Sequence, residues 1–287
     1  MAGFEAGIEA VSSFTLAHEA AIRLGAFAGI TAAVAAWEYL APRRGRAVPR
    51  WARWPHNFGV AALSTLAVRL LVPTAAVGFA IMAQSRGWGL FNAVSLPLWV
   101  EMAICVVVLD LVIYLQHVLF HTVPPLWWLH RMHHTDLDVD VTTGVRFHPV
   151  EILLSAGVKI GAVAVLGAAP AAVVIFEVLL NATAMFNHGN VRVPAALERV
   201  LRWFIVTPDM HRVHHSILPL ETNSNFSFNL PWWDRLFGTY RDQPAGGHVA
   251  MSIGIDGFLD PRQLRLDRML AQPFMSGSVK VDAKRGG

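Results

Sequence analysis

Apolar residues along the chain are gathered into four long stretches, which polar segments separate. Three stretches are each long enough for one transmembrane helix, which needs about 20 residues, and they lie at about 20–39, 59–83 and 97–120. The fourth, 152–187, is too long for one crossing and has Gly167 and Pro170 near its middle. It predicts a hairpin of two shorter helices that returns to its starting side.

Positive charge is concentrated in the loop after the first apolar stretch. Five arginines lie between residues 43 and 53, together with Trp51. Such a loop is typical of the cytoplasmic side of a membrane, and tryptophans favour the interface. Crossing the membrane twice more from this loop brings the end of the third stretch, and the polar, His-rich residues 121–149, to the same side. Residues 194–206 predict an amphipathic helix in the interface plane.

These patterns predict an all-α integral membrane protein of about three long transmembrane helices plus a membrane-embedded helical hairpin. A cytoplasmic, His-rich helical layer caps it, and a bacterial inner membrane is the expected location. The predicted regions are an N-terminal transmembrane region at 1–94, a catalytic domain at 95–245 and a C-terminal tail at 246–287. We expect the last dozen residues of the tail to be disordered.

Composition agrees with a membrane protein and limits the chemistry. Of 287 residues, 54% are hydrophobic and 15% charged, whereas about 25% is usual for charged residues in soluble domains. The net charge is +3, and the arginines flank apolar segments rather than line one stripe, so nucleic-acid binding is not indicated. Cys105 is the single cysteine, which excludes a disulfide framework and a cysteine metal site. A metal site must therefore use histidine.

Eight histidines fall into three boxes with regular spacing. One box is H-x-x-x-H and two are H-x-x-H-H, and their members are His117 and His121, then His130, His133 and His134, then His211, His214 and His215. On a helix, each spacing puts the members of a box on one face. Imidazole suits iron, zinc, copper and nickel alike. Eight nitrogens exceed the three or four of one zinc site, so the boxes predict two metal ions.

Further residues near the boxes are candidates for roles at the site. His188 follows the predicted hairpin, which returns to the side of the boxes, so we expect a ninth ligand there. His148 is either a ligand or a residue that supports one. Asp110 is a buried carboxylate that must be paired, and it either orients a ligand imidazole or pairs with a cation. Tyr114 and Asn190 are candidate supporting residues, although core packing explains Tyr114 more simply.

With these motifs, the chain resembles the sterol desaturase/fatty acid hydroxylase superfamily of membrane di-iron enzymes. The resemblance covers about Asp110 to Tyr240 and rests on several motifs. They are D-x-x-x-Y-x-x-H-x-x-x-H, the two H-x-x-H-H boxes, R-x-H-P-x-E at Arg146–Glu151, the lone His188, Thr207-Pro208 and the segment from Trp233 to Thr239.

The resemblance implies two iron ions held by histidine, O₂ as a co-substrate and attack on an unactivated C–H bond of a lipid. The outcome is hydroxylation, or desaturation of a sterol or acyl lipid by the same site. Electrons are expected from a separate ferredoxin, cytochrome or reductase, because the sequence has no haem segment or G-x-G-x-x-G motif. A non-redox metal-binding membrane protein is the alternative from another class. A metallohydrolase is disfavoured because H-E-x-x-H is absent.

Overall fold

The computed structural model describes residues 2–275, in which the regular secondary structure is helical and no strand is formed. The helices are α1 Ala2–Ala17, α2 Glu19–Leu40, α3 Trp54–Leu71, α4 Ala75–Arg86, α5 Leu90–Ala93, α6 Leu98–Thr122, α7 Pro124–His134, α8 Pro149–Leu166, α9 Pro170–Asn187, α10 Ala195–Leu201, α11 Pro208–His214, α12 Pro219–Thr222, α13 Trp232–Leu236, α14 Gly247–Ala250 and α15 Leu266–Ala271. Short 3₁₀ turns lie at Arg50–Ala52, Thr143–Val145, Pro261–Leu264 and Gln272–Phe274. The predicted disorder of the last dozen residues concerns positions outside the described range.

Five segments are long and apolar enough to cross a membrane, and they confirm the predicted all-α membrane fold. They are Glu19–Leu40, Arg50–Ala93, Leu98–Thr122, Pro149–Leu166 and Pro170–Asn187. α6 packs on α8 and α9, while α2 packs on α9. The predicted hairpin is present as α8 and α9, which makes the protein an integral membrane protein of three apolar segments plus a hairpin.

The second apolar stretch is two helices rather than one. α3 ends at Leu71 and α4 begins at Ala75, with Pro73 between them. Proline lacks the backbone N–H that a continuing helix needs and clashes with the preceding turn. Both helices pack against α8, so the break bends the stretch along its neighbour.

The turn of the hairpin depends on two glycines. Gly167 ends α8 with φ +67°, a conformation that suits glycine because it has no Cβ. Gly89, in the loop before α5, lies against it, and a Cβ on Gly89 would overlap the backbone nitrogen of Gly167. This close approach fixes the far end of the hairpin against the α4–α5 connection.

A buried ion network joins the arginine loop to the polar segment after α7. The Arg53 guanidinium donates to Asp136 and to Asp140, each at 2.7 Å, and all three side chains are buried. Arg146 donates to Asn57 at the start of α3, at 2.8 Å. The loop and the polar segment therefore lie at the same end of the helices.

The predicted amphipathic helix at 194–206 is shorter than expected. α10 ends at Leu201, and Trp203 and Phe204 after it are exposed. Residues 246–275 of the tail pack on the rest of the molecule, since the 3₁₀ turn at Gln272–Phe274 contacts α7 and α15 contacts α3.

Candidate metal centre

Four helix ends bring the nine predicted histidine ligands together. α6 carries the first box in its last two turns, α7 the second, and α11 the third with His215 just after it. His188 directly follows α9. α7 and α11 begin with proline at the first helical turn, where its missing N–H costs nothing. Thr207 caps α11 by accepting from the backbone N–H of Met210 at 3.3 Å.

The nine imidazoles form two adjacent groups. The first group, within which the ligand atoms lie within 4.8 Å of one another, is His117, His121, His130, His134 and His214. The second, defined in the same way, is His133, His188, His211 and His215. All nine side chains are buried, with His121 the most exposed at 7%.

Helix geometry explains how the two repeated boxes are divided. In α7, the i and i+4 members His130 and His134 join the first group, and His133 joins the second. In α11 the division is reversed, because His214 joins the first group while His211 and His215 join the second. Each H-x-x-H-H box therefore contributes to both groups, whereas His117 and His121 of the first box both join the first group.

Most of the imidazoles are oriented by a hydrogen bond at Nδ1. His117 donates to the Phe226 carbonyl at 2.6 Å, His188 to the Ala184 carbonyl at 2.6 Å and His214 to the Ser224 carbonyl at 2.7 Å. Backbone oxygens accept only from a protonated Nδ1, which leaves the Nε2 lone pair free. This is the tautomer that a metal ligand needs.

The Nε2 atoms converge at distances that suit metal ligation. The Nε2 of His188 is 3.1 Å from that of His133 and 3.1 Å from that of His211, and those of His117 and His130 are 3.1 Å apart. Metal–imidazole bonds are about 2.0–2.1 Å long, which places neighbouring ligands of a six-coordinate ion about 3 Å apart. The Nε2 atoms of His121 and His214 are buried without a protein partner. The residues therefore fit two metal ions.

Burial favours the neutral form of the histidines that lie outside the membrane-spanning helices. The pKa values of five of its histidines outside the membrane-spanning helices are lowered by burial first and by neighbouring imidazoles second, namely His133, His134, His211, His214 and His215. Burial lowers the pKa of His188 to about 4. Neutral imidazole is the form that binds metal, so these ligands need lose no proton at pH 7.

The predicted supporting residues have other partners. Asp110 accepts from Asn229, from the backbone N–H of Leu230 and from the Trp233 indole, and it does not orient an imidazole. Tyr114 hydrogen-bonds to Thr239 at 2.9 Å.

His148 and Asn190 act in the frame around the cluster. His148 caps α8 by accepting from the Val150 N–H at 3.2 Å, and it belongs to neither imidazole group. Asn190 accepts from the Arg44 backbone N–H at 3.1 Å and donates to the Arg44 carbonyl at 2.9 Å. It therefore holds the arginine loop beside His188.

Sequence reasoning missed Glu151 as a functional residue. Its Oε1 accepts from Nδ1 of His130 at 2.6 Å, and its Oε2 is buried without a partner. The available signal was the acidic residue of the R-x-H-P-x-E motif, which lies in the first turn of the mainly apolar helix α8. Glu151 gives the first imidazole group a negative charge beside it.

Comparison with known proteins identifies the region that holds these residues. The profile of the fatty acid hydroxylase family matches residues 102–239, which include all nine histidines. This region of the chain is similar to the fatty acid hydroxylase family. The match confirms the resemblance inferred from the boxes.

Three curated relatives of this superfamily are similar to the chain. The ornithine lipid hydroxylase OlsE of Rhizobium tropici is 30% identical over 179 residues, covering 62% of the chain and 51% of the relative. The alkylglycerol monooxygenase of Xenopus tropicalis is 25% identical over 80% of the chain and 52% of its own length. The cholesterol 25-hydroxylase of Rattus norvegicus is 26% identical, with coverages of 49% and 47%. The chain thus spans about half the length of the curated relatives it matches. No solved structure is significantly similar to it.

Proposed function

We propose that the protein is a membrane-bound, O₂-dependent oxygenase that hydroxylates an unactivated C–H bond of a lipid. The observation that carries the proposal is the pair of buried imidazole groups at the ends of apolar helices, inside a fatty acid hydroxylase region. The names of the three relatives support a lipid substrate and an oxygenation reaction, since each joins a lipid (ornithine lipid, alkylglycerol or cholesterol) to the word hydroxylase or monooxygenase. The arginine loop beside Asn190 favours a cytoplasmic site in a bacterial inner membrane.

The nine histidines would hold two iron ions, and iron when bound would supply the O₂ and redox chemistry. The protein's part is orientation and exclusion of water. Backbone carbonyls fix His117, His188 and His214 through Nδ1, and the buried surroundings keep water from the cluster. Phe226 and Phe228 pack beside the His117 ring, with ring centroids 5.5 and 4.9 Å away, which gives an apolar wall against which a lipid tail can lie. A separate protein donor would supply electrons.

Lipid mass spectrometry under ¹⁸O₂ tests this function. Cells expressing the protein with a candidate reductase should accumulate a lipid that carries one ¹⁸O atom. His133→Ala removes a ligand of the second group, so this variant should form no product and bind less iron. His18→Ala is the matched control, because His18 is exposed and outside both groups. It should retain both product and iron.

Other outcomes would change the assignment. A product that has lost two hydrogens and gained no oxygen would identify a desaturase. Full product formation by His133→Ala would overturn the metal centre. A wild-type protein that binds two iron ions but alters no lipid in any reductase pairing would contradict the proposed activity.

A further inference from the structure

The segment after the last histidine box runs down the side of α6 and returns. We propose that residues 229–237 form a re-entrant segment within the bilayer, and that its contact with α6 is where a lipid tail reaches the histidines. The position of the segment is independent of the proposed function, whereas its use as an entrance rests on that function.

Three contacts trace the descent of the segment along α6. The Phe226 carbonyl accepts from His117 near the end of the helix. Three residues later, Asn229 donates to Asp110 at 2.8 Å, and the Trp233 indole donates to the same carboxylate at 2.8 Å. Asp110 precedes His117 by seven residues, which is about 10 Å along a helix. The segment therefore reaches about two turns below the level of the histidines.

Two contacts with Tyr114 mark the return of the segment toward the histidines. Phe237 stacks on Tyr114, with ring centroids 5.4 Å apart and planes at 16°. Thr239 then hydrogen-bonds to the Tyr114 hydroxyl, and its carbonyl accepts from the backbone N–H of Asn225 at 2.9 Å. Chain and helix are thus in contact at the levels of His117, Asp110 and Tyr114 in turn.

Asp110 provides hydrogen-bond acceptors for the irregular backbone at this depth. Non-helical chain is tolerated in a membrane only where its polar groups find protein partners, and an ionisable residue in a span is normally kept for such a role. Asp110 accepts from the Leu230 N–H as well as from the two side chains. Asn229 is also held by Thr183 of α9. The buried carboxylate therefore anchors the lowest part of the segment.

The exposed side chains at the end of the segment are apolar, whereas the cation Arg235 donates to the Arg202 carbonyl and lies over the Trp203 ring. Leu236 is 69% exposed and Phe237 51%. α6, whose Tyr114 stacks on Phe237, also exposes Leu115 and Leu119, which lie in a span long and apolar enough to cross the membrane. Exposed apolar side chains continuous with a transmembrane face are expected to contact lipid rather than water.

A line of aromatic rings leads inward from this surface. Phe237 contacts Tyr114, Tyr114 contacts Phe226 at 6.4 Å, and Phe226 contacts the first imidazole group through His121 at 5.1 Å. The carboxylate of Asp234 lies beside this line, where it accepts from the backbone N–H of Phe226 at 2.8 Å and from the Thr239 hydroxyl at 2.7 Å. An acyl chain that follows the rings would displace ring contacts, because the hydrogen bonds of Phe226 are made by its backbone N–H and carbonyl and not by its ring.

Spin-label depth measurements test the position. On a Cys105→Ala background in liposomes, a label at Leu236→Cys is compared with labels at Leu66→Cys, exposed on α3, and Asp256→Cys, exposed in the tail. Power saturation with O₂ and with a water-soluble nickel complex should give Leu236 a value close to that of Leu66. A value equal to that of Asp256 would overturn the re-entrant segment.

Product analysis tests the entrance. Phe237→Ala should change the ratio of positional products by about tenfold, as one altered hydrophobic contact can do, with iron content unchanged. Phe204→Ala is the control, since Phe204 is also an exposed aromatic residue but makes no ring contact with Tyr114. Identical product ratios and KM in the two variants would overturn the entrance. If the wild-type protein oxygenates no lipid, the entrance fails with the proposed function, while the label depths still decide the position of the segment.

Discussion

Replacing Glu151 with glutamine should weaken the binding of one metal ion and leave the binding of the other unchanged. The substitution keeps the size of the side chain and an oxygen that can accept from His130, but it removes the negative charge 2.6 Å from Nδ1. In the second group, His133 and His188 donate to backbone carbonyls. The first group alone thus gains a carboxylate that makes an imidazole more basic.

The size of the effect follows from the loss of negative charge beside His130. Removing a residue that orients a metal-bound histidine typically lowers metal affinity about 10–100-fold, which is about 1.4–2.7 kcal/mol. Glu151→Gln retains an acceptor, so we expect the lower half of this range. The reduction should appear in the ion held by the five-histidine group.

The assay is competition for Fe²⁺ between the metal-free protein in nanodiscs and a coloured chelator, without oxygen. Glu221→Gln is a matched control, because Glu221 is also buried with one oxygen bonded and the other without a partner. The bonded oxygen of Glu221, however, accepts from the backbone N–H of Ala245 and not from an imidazole. Wild-type affinity for both ions in Glu151→Gln, or equal weakening in both variants, would refute the reasoning.

Further predictions concern the frame around the site. Asp136→Asn should destabilise the protein by about 2–3 kcal/mol, because it removes one of the two carboxylates that pair with buried Arg53 and leaves Asp140; thermal unfolding, with exposed Asp256→Asn as control, measures this. Although burial raises the pKa of Asp136, the charge of Arg53 lowers it to about 2 from 3.8. The stabilisation by ionised Asp136 is therefore complete above about pH 4 and is lost as pH falls through 2. The acid unfolding curves of wild type and Asp136→Asn should converge there. Gly89→Ala should lower the melting temperature because its Cβ would overlap Gly167, whereas a wild-type melting curve would contradict that close contact.

The spans and boxes were predictable because they depend on local order in the chain. Hydrophobic runs of membrane length identify helices without knowledge of their neighbours, and H-x-x-H-H fixes which side chains share a helix face. Pro73 was a local sequence signal for the break between α3 and α4. The hairpin was predictable from Gly167, Pro170 and the length of the run.

The finer features depend on contacts between distant parts of the chain. The division of each H-x-x-H-H box between two groups is set by how α7 and α11 face each other, which spacing alone cannot specify. Backbone acceptors such as the Phe226 carbonyl carry no side-chain signal. Asp110 was correctly expected to need partners, but Asn229 and Trp233 lie over a hundred residues away, and no local pattern connects them to it.

The imidazole nitrogens without protein partners affect how long the protein lasts in a cell. Among the nine histidines, six such buried atoms are found, including both nitrogens of His215. Each buried polar atom left unpaired costs about 1–3 kcal/mol, and an ion that binds the folded chain but not the unfolded chain adds its binding free energy to folding. The metal-free chain should therefore open more often and be degraded faster by proteases. Iron supply would then set the amount of this protein as well as its activity.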